Sequence, residues 1–101
     1  MQIQIPEPTE VSGYLLQFPS LIALTLAVAG AAQEGFPEAQ LVLEVYQDPE
    51  AEDEFLVLNV RLREYDESVM RKIRNVREKF SDQLASAAGW LLLTTDFQPA
   101  E

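Results

Sequence analysis

The chain of 101 residues contains neither cysteine nor histidine. Without cysteine it forms no disulfide framework and no thiolate zinc site. Without histidine it lacks the commonest general base near neutral pH and the commonest ligand for transition metals. Its four glycines are isolated, which excludes a glycine-rich phosphate loop. We therefore predict that the protein is not an enzyme and uses no cofactor and no metal.

Positive charge is also missing from the first 60 residues. Residues 1–60 carry ten carboxylates and no base, whereas residues 61–101 carry seven charges of each sign, so the whole net charge of −10 belongs to the first part. Such a field repels nucleic acid and attracts basic protein surfaces. The simpler alternative is that this acidity only keeps a small domain soluble. The bases of residues 71–79 spread around the predicted helix and are interspersed with Glu67, Glu78 and Asp82, as on a solvated helix, so we predict no nucleic-acid partner.

The longest apolar run is "SLIALTLAVAGAA", residues 20–32. It is typical of the apolar part of a secretion signal, but no basic residue precedes it. It is also shorter than the roughly 20 apolar residues that a membrane span requires. We predict a core helix, no membrane association and a cytoplasmic location.

The first 19 residues contain Pro6, Pro8 and Pro19, which predict an extended arm before a single domain over residues 20–101. Ile3 and Ile5 alternate with glutamine and favour a short edge strand. Ser20 is placed to cap a helix over residues 21–33. Apolar residues surround most of this helix, so we expect it to be buried on more than one side.

Residues 39–47 and 55–63 alternate between apolar and polar positions, as in two half-buried strands. An antiparallel hairpin must place both apolar sets on one face. Pairing Val45 with Leu58, Leu43 with Val60 and Leu41 with Leu62 satisfies that condition.

A second helix is predicted to begin at Asp66 or Ser68 and to continue to about Ala88, because apolar residues recur there at spacings of three and four. Gly89 ends it, and residues 90–97 predict a third strand. The predicted fold class is α+β, in the order α-β-β-α-β, with two helices packed on one face of a small antiparallel sheet.

Between the two predicted strands lies a run of carboxylates. It consists of Asp48, Glu50, Glu52, Asp53 and Glu54. Counted from Asp48 as a calcium loop, its sixth position is Asp53 instead of glycine and its twelfth is Asn59 instead of glutamate, which argues against calcium binding. Asp48-Pro49 is a typical turn opening. We expect a solvated turn, and its carboxylates are candidates for docking a basic partner.

The hairpin "LVLEVYQDPEAEDEFLVLNVRL" followed by a helix resembles small uncharacterised bacterial proteins that carry a "DPE" turn between two such strands. The resemblance covers roughly residues 41–84 and implies a bacterial cytosolic accessory protein. No catalytic or binding residue comes with it.

The function favoured by these observations is that of a small acidic protein-binding domain, such as an antitoxin-like or immunity-like partner that neutralises a basic protein. A self-associating structural module and a DNA-mimic inhibitor are the alternatives. Two helices leave one face of the sheet open, so we also predict a homodimer. Its candidate interface residues are Val42, Tyr46, Phe55, Val57, Trp90 and Phe97.

Overall fold

The computed structural model describes residues 1–50 and 53–100. Within these ranges the chain forms four strands and four helices, which confirms the α+β class but not the predicted order. In chain order they are β1 (Ile3–Gln4), α1 (Pro8–Gln17), α2 (Ser20–Gly35), β2 (Gln40–Gln47), β3 (Glu54–Arg61), α3 (Ser68–Lys79), α4 (Ser81–Ser86) and β4 (Leu91–Thr94).

The sheet is mixed, in the spatial order β1-β2-β3-β4. Only the central pair, β2 with β3, is antiparallel; β1 runs parallel to β2 and β4 runs parallel to β3. The prediction of an antiparallel sheet is therefore wrong for both outer pairs. Each parallel pair is joined through helices, as parallel strands require, because the connection must return the chain to the same end of the sheet.

The predicted hairpin is confirmed in its strands and in the faces of its residues, but its register is wrong. Val45 pairs with Leu56, Leu43 with Leu58 and Leu41 with Val60. Each partner on β3 lies two residues before the predicted one. A shift of two preserves the alternation of faces. The shorter loop lets the backbone N–H of Asp48 donate to the carbonyl of Asp53 at 2.9 Å.

The prediction of an extended arm over residues 1–19 is wrong for Pro8–Gln17, which forms α1. Pro8 stands at the start of this helix, where its fixed φ suits the first turn and its missing N–H is not needed. Val11 and Tyr14 on α1 are buried in the core. Ile3 lies in the short edge strand β1, as expected, whereas Ile5 lies beyond it.

Helix α2 is confirmed, but two details differ from prediction. Ser20 is its first residue, and no side-chain hydrogen bond caps the helix. Leu21 and Val28 are buried, whereas Ile22 and Leu26 are about half exposed. The helix therefore buries one side only and presents apolar side chains to solvent on the other.

The predicted long second helix is divided into α3 and α4 at Phe80. There the backbone leaves helical geometry, with φ −112° and ψ 13°. The N–H of Phe80 bonds to the carbonyl of Arg77 in a tight last turn. The bend lets Phe80, Leu84 and Ala87 pack against the core, although α4 takes a new direction.

One hydrophobic cluster holds these elements together. It joins buried residues of α1, α2 and α3 to alternate residues of the three longer strands, namely Leu41, Leu43, Leu56, Leu58, Val60, Leu91 and Leu93. The intervening residues of the same strands form the opposite side of the sheet, here called the outer face.

Candidate protein-binding face

Three aromatic side chains form a row across one end of the outer face. Tyr46 on β2 pairs with Phe55 on β3, and Trp90, directly before β4, stands beside Phe55. The ring centroids of Tyr46 and Phe55 are 5.1 Å apart, and those of Phe55 and Trp90 are 4.3 Å apart. Tyr46 is 50 % exposed and Trp90 is 51 % exposed. This aromatic row is held by neighbouring strands and remains accessible to a partner.

Trp90 is fixed from the core side of the sheet. Its backbone N–H donates to the hydroxyl of Tyr14 at 3.0 Å, and its carbonyl accepts from the N–H of Leu56 at 2.9 Å. The preceding Gly89 lies so close to α2 that an added Cβ would sit 2.7 Å from Leu21 Cδ1 and 2.8 Å from Phe18 Cγ. A larger residue at this position would require Leu21 and Phe18 to move, so this close contact constrains the backbone directly before Trp90.

The carboxylates of the hairpin adjoin the aromatic row, because Tyr46 and Phe55 lie at the loop end of β2 and β3. Asp48, Glu50, Asp53 and Glu54 form the described part of the acidic tip; Glu52, which we also predicted as a docking residue, lies outside the described residues. The Asp48 carboxylate accepts the N–H of Glu50 at 2.9 Å, which orders the predicted turn. Among the described residues, no group of three or more acidic side chains is arranged to hold a metal ion.

Two open grooves lie between α1 and the loop end of the hairpin, on the core side of the sheet, and share Tyr14, Gln17 and Glu54. One has a volume of about 560 Å³ and is also lined by Trp90. The other, of about 430 Å³, is also lined by Glu10. Both grooves contain the carboxylate of Glu54, which can accept a hydrogen bond from the ammonium or guanidinium group of a basic side chain.

The far end of the outer face is polar. Arg61 donates to both carboxylate oxygens of Asp96, with the shortest contact at 2.7 Å, and its guanidinium lies 3.9 Å from Glu44. Burial acts to raise the pKa of Asp96, but the hydrogen bonds from Arg61 and from the N–H of Gln98 outweigh it and hold the pKa below the ordinary 3.8. Arg61, the base at this end of the outer face, is therefore paired with an acid of the same chain.

The structure brings together only some of the predicted interface residues. Tyr46, Phe55 and Trp90 form the row. Val57 is the next residue of β3 after Phe55 that lies on the outer face. Val42 is fully buried and offers no surface to a partner. Phe97 lies apart and packs on Tyr65, with ring centroids 5.3 Å apart, in a backbone conformation of positive φ.

Sequence reasoning missed Tyr14, because residues 1–19 were predicted as an extended arm. Pro8 followed by a pattern of apolar residues was the signal that could have placed it on a helix. The prediction that Glu44 and Tyr46 share a face of the sheet is confirmed.

Comparison of the chain with known protein families, with curated proteins and with solved structures found no match. Within the residues that the structure describes, no helix has both the length and the apolar character needed to cross a membrane.

Proposed function

We propose that the protein is a small binding domain without catalytic activity, and that its outer face receives a basic segment of another protein. A neutralising partner of a basic protein, of the antitoxin-like or immunity-like kind, is the concrete form of this function. The observation that carries the proposal is the adjacency of the aromatic row to the acidic tip.

The aromatic row supplies the apolar part of such a contact. Tyrosine and tryptophan are the side chains that most often anchor protein interfaces, because they bury a large area with few rotatable bonds. Here the two are exposed and rest on Phe55 between them, so little side-chain freedom remains to be lost on binding.

The surrounding charges select the partner. Glu44 lies two positions before Tyr46 on the same face of β2, and the acidic tip follows at the loop end of the hairpin. The base of the outer face, Arg61, lies six residues along β3 from Phe55, or about 20 Å, and it pairs with Asp96. That separation exceeds the Debye length of about 8 Å at physiological salt. A cation approaching the row therefore meets a negative field, and arginine or lysine can also stack on the rings.

The same charges argue against a second copy of this chain on the row, because both copies carry a net charge of −10 and repel each other. A DNA mimic would use the carboxylates of the tip in place of phosphates, and competition with duplex DNA distinguishes that function from the proposed one.

The test begins with a photo-reactive amino acid at position 46 in the native host, which identifies the bound protein by cross-linking. Association of the purified pair is then measured by stopped-flow or surface plasmon resonance. Acidic steering predicts an association rate constant that falls as salt rises.

Two variants that each lose four negative charges test whether the carboxylates of the tip, and not the net charge alone, accelerate association. The tip variant combines Asp48→Asn, Glu50→Gln, Asp53→Asn and Glu54→Gln. The control combines Glu7→Gln, Glu34→Gln, Glu38→Gln and Glu64→Gln, which removes four charges from other exposed sites. We expect the tip variant to lose about tenfold or more in association rate and the control about threefold or less. Equal losses would show that only net charge matters.

The fold should tolerate the tip variant, because its four side chains lie at the hairpin end and outside the core. Its melting temperature should equal that of the parent protein. A large loss, together with stabilisation of the parent by calcium, would instead reveal a metal site. Cross-linking that recovers only the chain itself, or displacement of the partner by duplex DNA, would replace the proposal with self-association or mimicry.

A further inference from the structure

The second of the two grooves on the core side, here called the α1 groove, has a volume of about 430 Å³ and lies between helix α1 and the hairpin. Two carboxylates line it from different elements, because Glu10 belongs to the first turn of α1 and Glu54 is the first residue of β3. Among the residues that the structure describes, neither glutamate takes part in an ion pair. The fold therefore leaves the charge of both carboxylates available to a cation from outside.

The remaining lining of the α1 groove is neutral. Gln17 of α1 and Gln47 of β2 add amide groups, and Val45 adds an apolar surface that packs against the core. The groove thus combines carboxylate and amide oxygens with an apolar patch. A long side chain with an apolar stem and a cationic end, as in lysine or arginine, matches both parts of this lining.

Gly13 keeps the α1 groove open. It lies in the interior of α1, where glycine is the least favourable residue apart from proline, and it lines the groove. It is exposed, and an added Cβ would meet no atom within 4 Å. Packing within the described fold therefore does not require a glycine here. A larger side chain at this position would extend into the groove.

The α1 groove is continuous with the acidic tip. Glu54 belongs to the tip and lines the groove, so the loop end of the hairpin connects the groove on the core side with the aromatic row on the outer face. Every residue that lines the groove falls within residues 1–60, the part of the chain without a base. The negative field that attracts a basic partner to the row therefore extends to the groove.

We infer that the α1 groove binds an arginine side chain of the same basic partner, which then contacts both sides of the sheet at the loop end of the hairpin. This inference rests on the proposed function, because it assigns that partner a second contact. Arginine fits better than lysine, since a guanidinium presents five N–H donors in a plane to oxygens on several sides, whereas an ammonium is a compact point charge. The methylene stem of the arginine packs on Val45.

The first test uses the full chain and a blocked pentapeptide, Gly-Arg-Gly-Arg-Gly, with the neutral citrulline peptide as its control. Nuclear magnetic resonance follows the backbone amide signals of Gly13 and Gln47 in the groove and of Tyr46 in the row. We expect the arginine peptide to shift all three signals, and the citrulline peptide to bind about fivefold more weakly or less. Equal binding of the two peptides would overturn the inference.

The same spectra separate the inference from the proposed function. Shifts at Tyr46 without shifts at Gly13 and Gln47 would overturn the inference and leave the proposed binding on the outer face intact. Shifts at Gly13 and Gln47 without a shift at Tyr46 would support a cation site in the groove and contradict the proposed outer-face function.

A single charge tests the groove without altering the tip. Glu10→Gln should weaken binding of the arginine peptide about threefold or more, because a charged acceptor is lost. Glu7→Gln removes the same charge close to the start of α1 but lines neither groove, and it should change the affinity about twofold or less. Equal losses in the two variants would overturn the inference. If Glu10 only stabilised the first turn of α1, its substitution would lower the melting temperature and leave the affinity unchanged, which would also overturn it.

Filling the groove tests it without any change of charge. Gly13→Leu places a side chain in the open space and should weaken binding of the arginine peptide about tenfold or more, since it occupies the site. Leucine is a better helix former than glycine, so the melting temperature should not fall. Ser12→Leu is the matched control, because it adds the same side chain at an exposed neighbouring position of α1 that lines neither groove. Its affinity should equal that of the parent protein. Parental affinity in a folded Gly13→Leu variant would overturn the inference, and circular dichroism verifies the fold of each variant.

Discussion

The two faces of the sheet use the same strands for different purposes. Leu58 and Val57 are neighbours on β3, yet Leu58 is fully buried in the core whereas Val57 is only partly buried on the outer face. On the core side the strands carry leucine and valine. On the outer face they carry aromatic rings at one end and a paired arginine at the other. Most of the buried apolar side chains of the strands lie on the core side, whereas the exposed aromatic side chains of the row lie on the outer face.

The difference between the two faces is tested by one substitution on each, and the largest loss of unfolding free energy is expected on the core side. Leu58→Ala removes a fully buried side chain and should lower the free energy of unfolding by about 2–5 kcal/mol, from lost apolar burial and the cavity left behind. Val57→Ala, one residue away, should cost less than about 1 kcal/mol. Urea unfolding of both variants measures the difference. Equal losses would mean that the outer face is structural and not available for binding.

The division of faces was predictable from the sequence because alternation determines which side chains share a face. Alternation does not determine where two strands begin to pair, and a shift of two residues satisfies it equally well. The observed register depended on the loop closing between Asp48 and Asp53. That is why the sequence predicted Tyr46 and Phe55 on one face but not that their rings would be direct neighbours.

Other features depended on tertiary contacts that no local pattern contains. The exposed side of α2 was predicted as buried, because composition alone does not show how many sides of an apolar helix are covered. The break at Phe80 was missed because the apolar spacing continues through it to Leu84 and Ala87. Parallel pairing of β1 and β4 with their neighbours likewise follows from the paths of the helices and not from the strand residues themselves.

A smaller loss of unfolding free energy is expected at Gly89, which contacts the core and directly precedes Trp90 of the outer face. Gly89→Ala places a methyl group against Leu21 and Phe18, and the neighbours must move. We expect a loss of about 1–3 kcal/mol, as for overpacking of a core. Trp90 is the only tryptophan of the chain, so its fluorescence reports the same displacement on the outer face.

Gly30→Ala is the control for Gly89→Ala. No atom lies near its added Cβ. We therefore expect it to be neutral or to stabilise the helix by up to about 1 kcal/mol. An unchanged spectrum and unchanged stability in Gly89→Ala would show that the strand entry is less constrained than its close contacts indicate.

The smallest effect is expected at the polar end of the outer face. Asp96→Asn weakens the contact with Arg61, which is partly exposed, and should lower the free energy of unfolding by about 0.2–1 kcal/mol at neutral pH.

Because the folded protein holds the pKa of Asp96 below its ordinary value, the contribution of this carboxylate to stability is present above the pKa of the unfolded chain. It is lost as the pH falls through the lower, folded-state pKa. The difference in unfolding free energy between parent and variant should therefore shrink towards zero in acid. Asp53→Asn at the exposed tip removes the same charge and is the control at neutral pH, where it should change the free energy of unfolding less than Asp96→Asn does. A gap between parent and Asp96→Asn that persisted in strong acid would show that the asparagine perturbs packing, and that the ion pair is not what stabilises this end of the face.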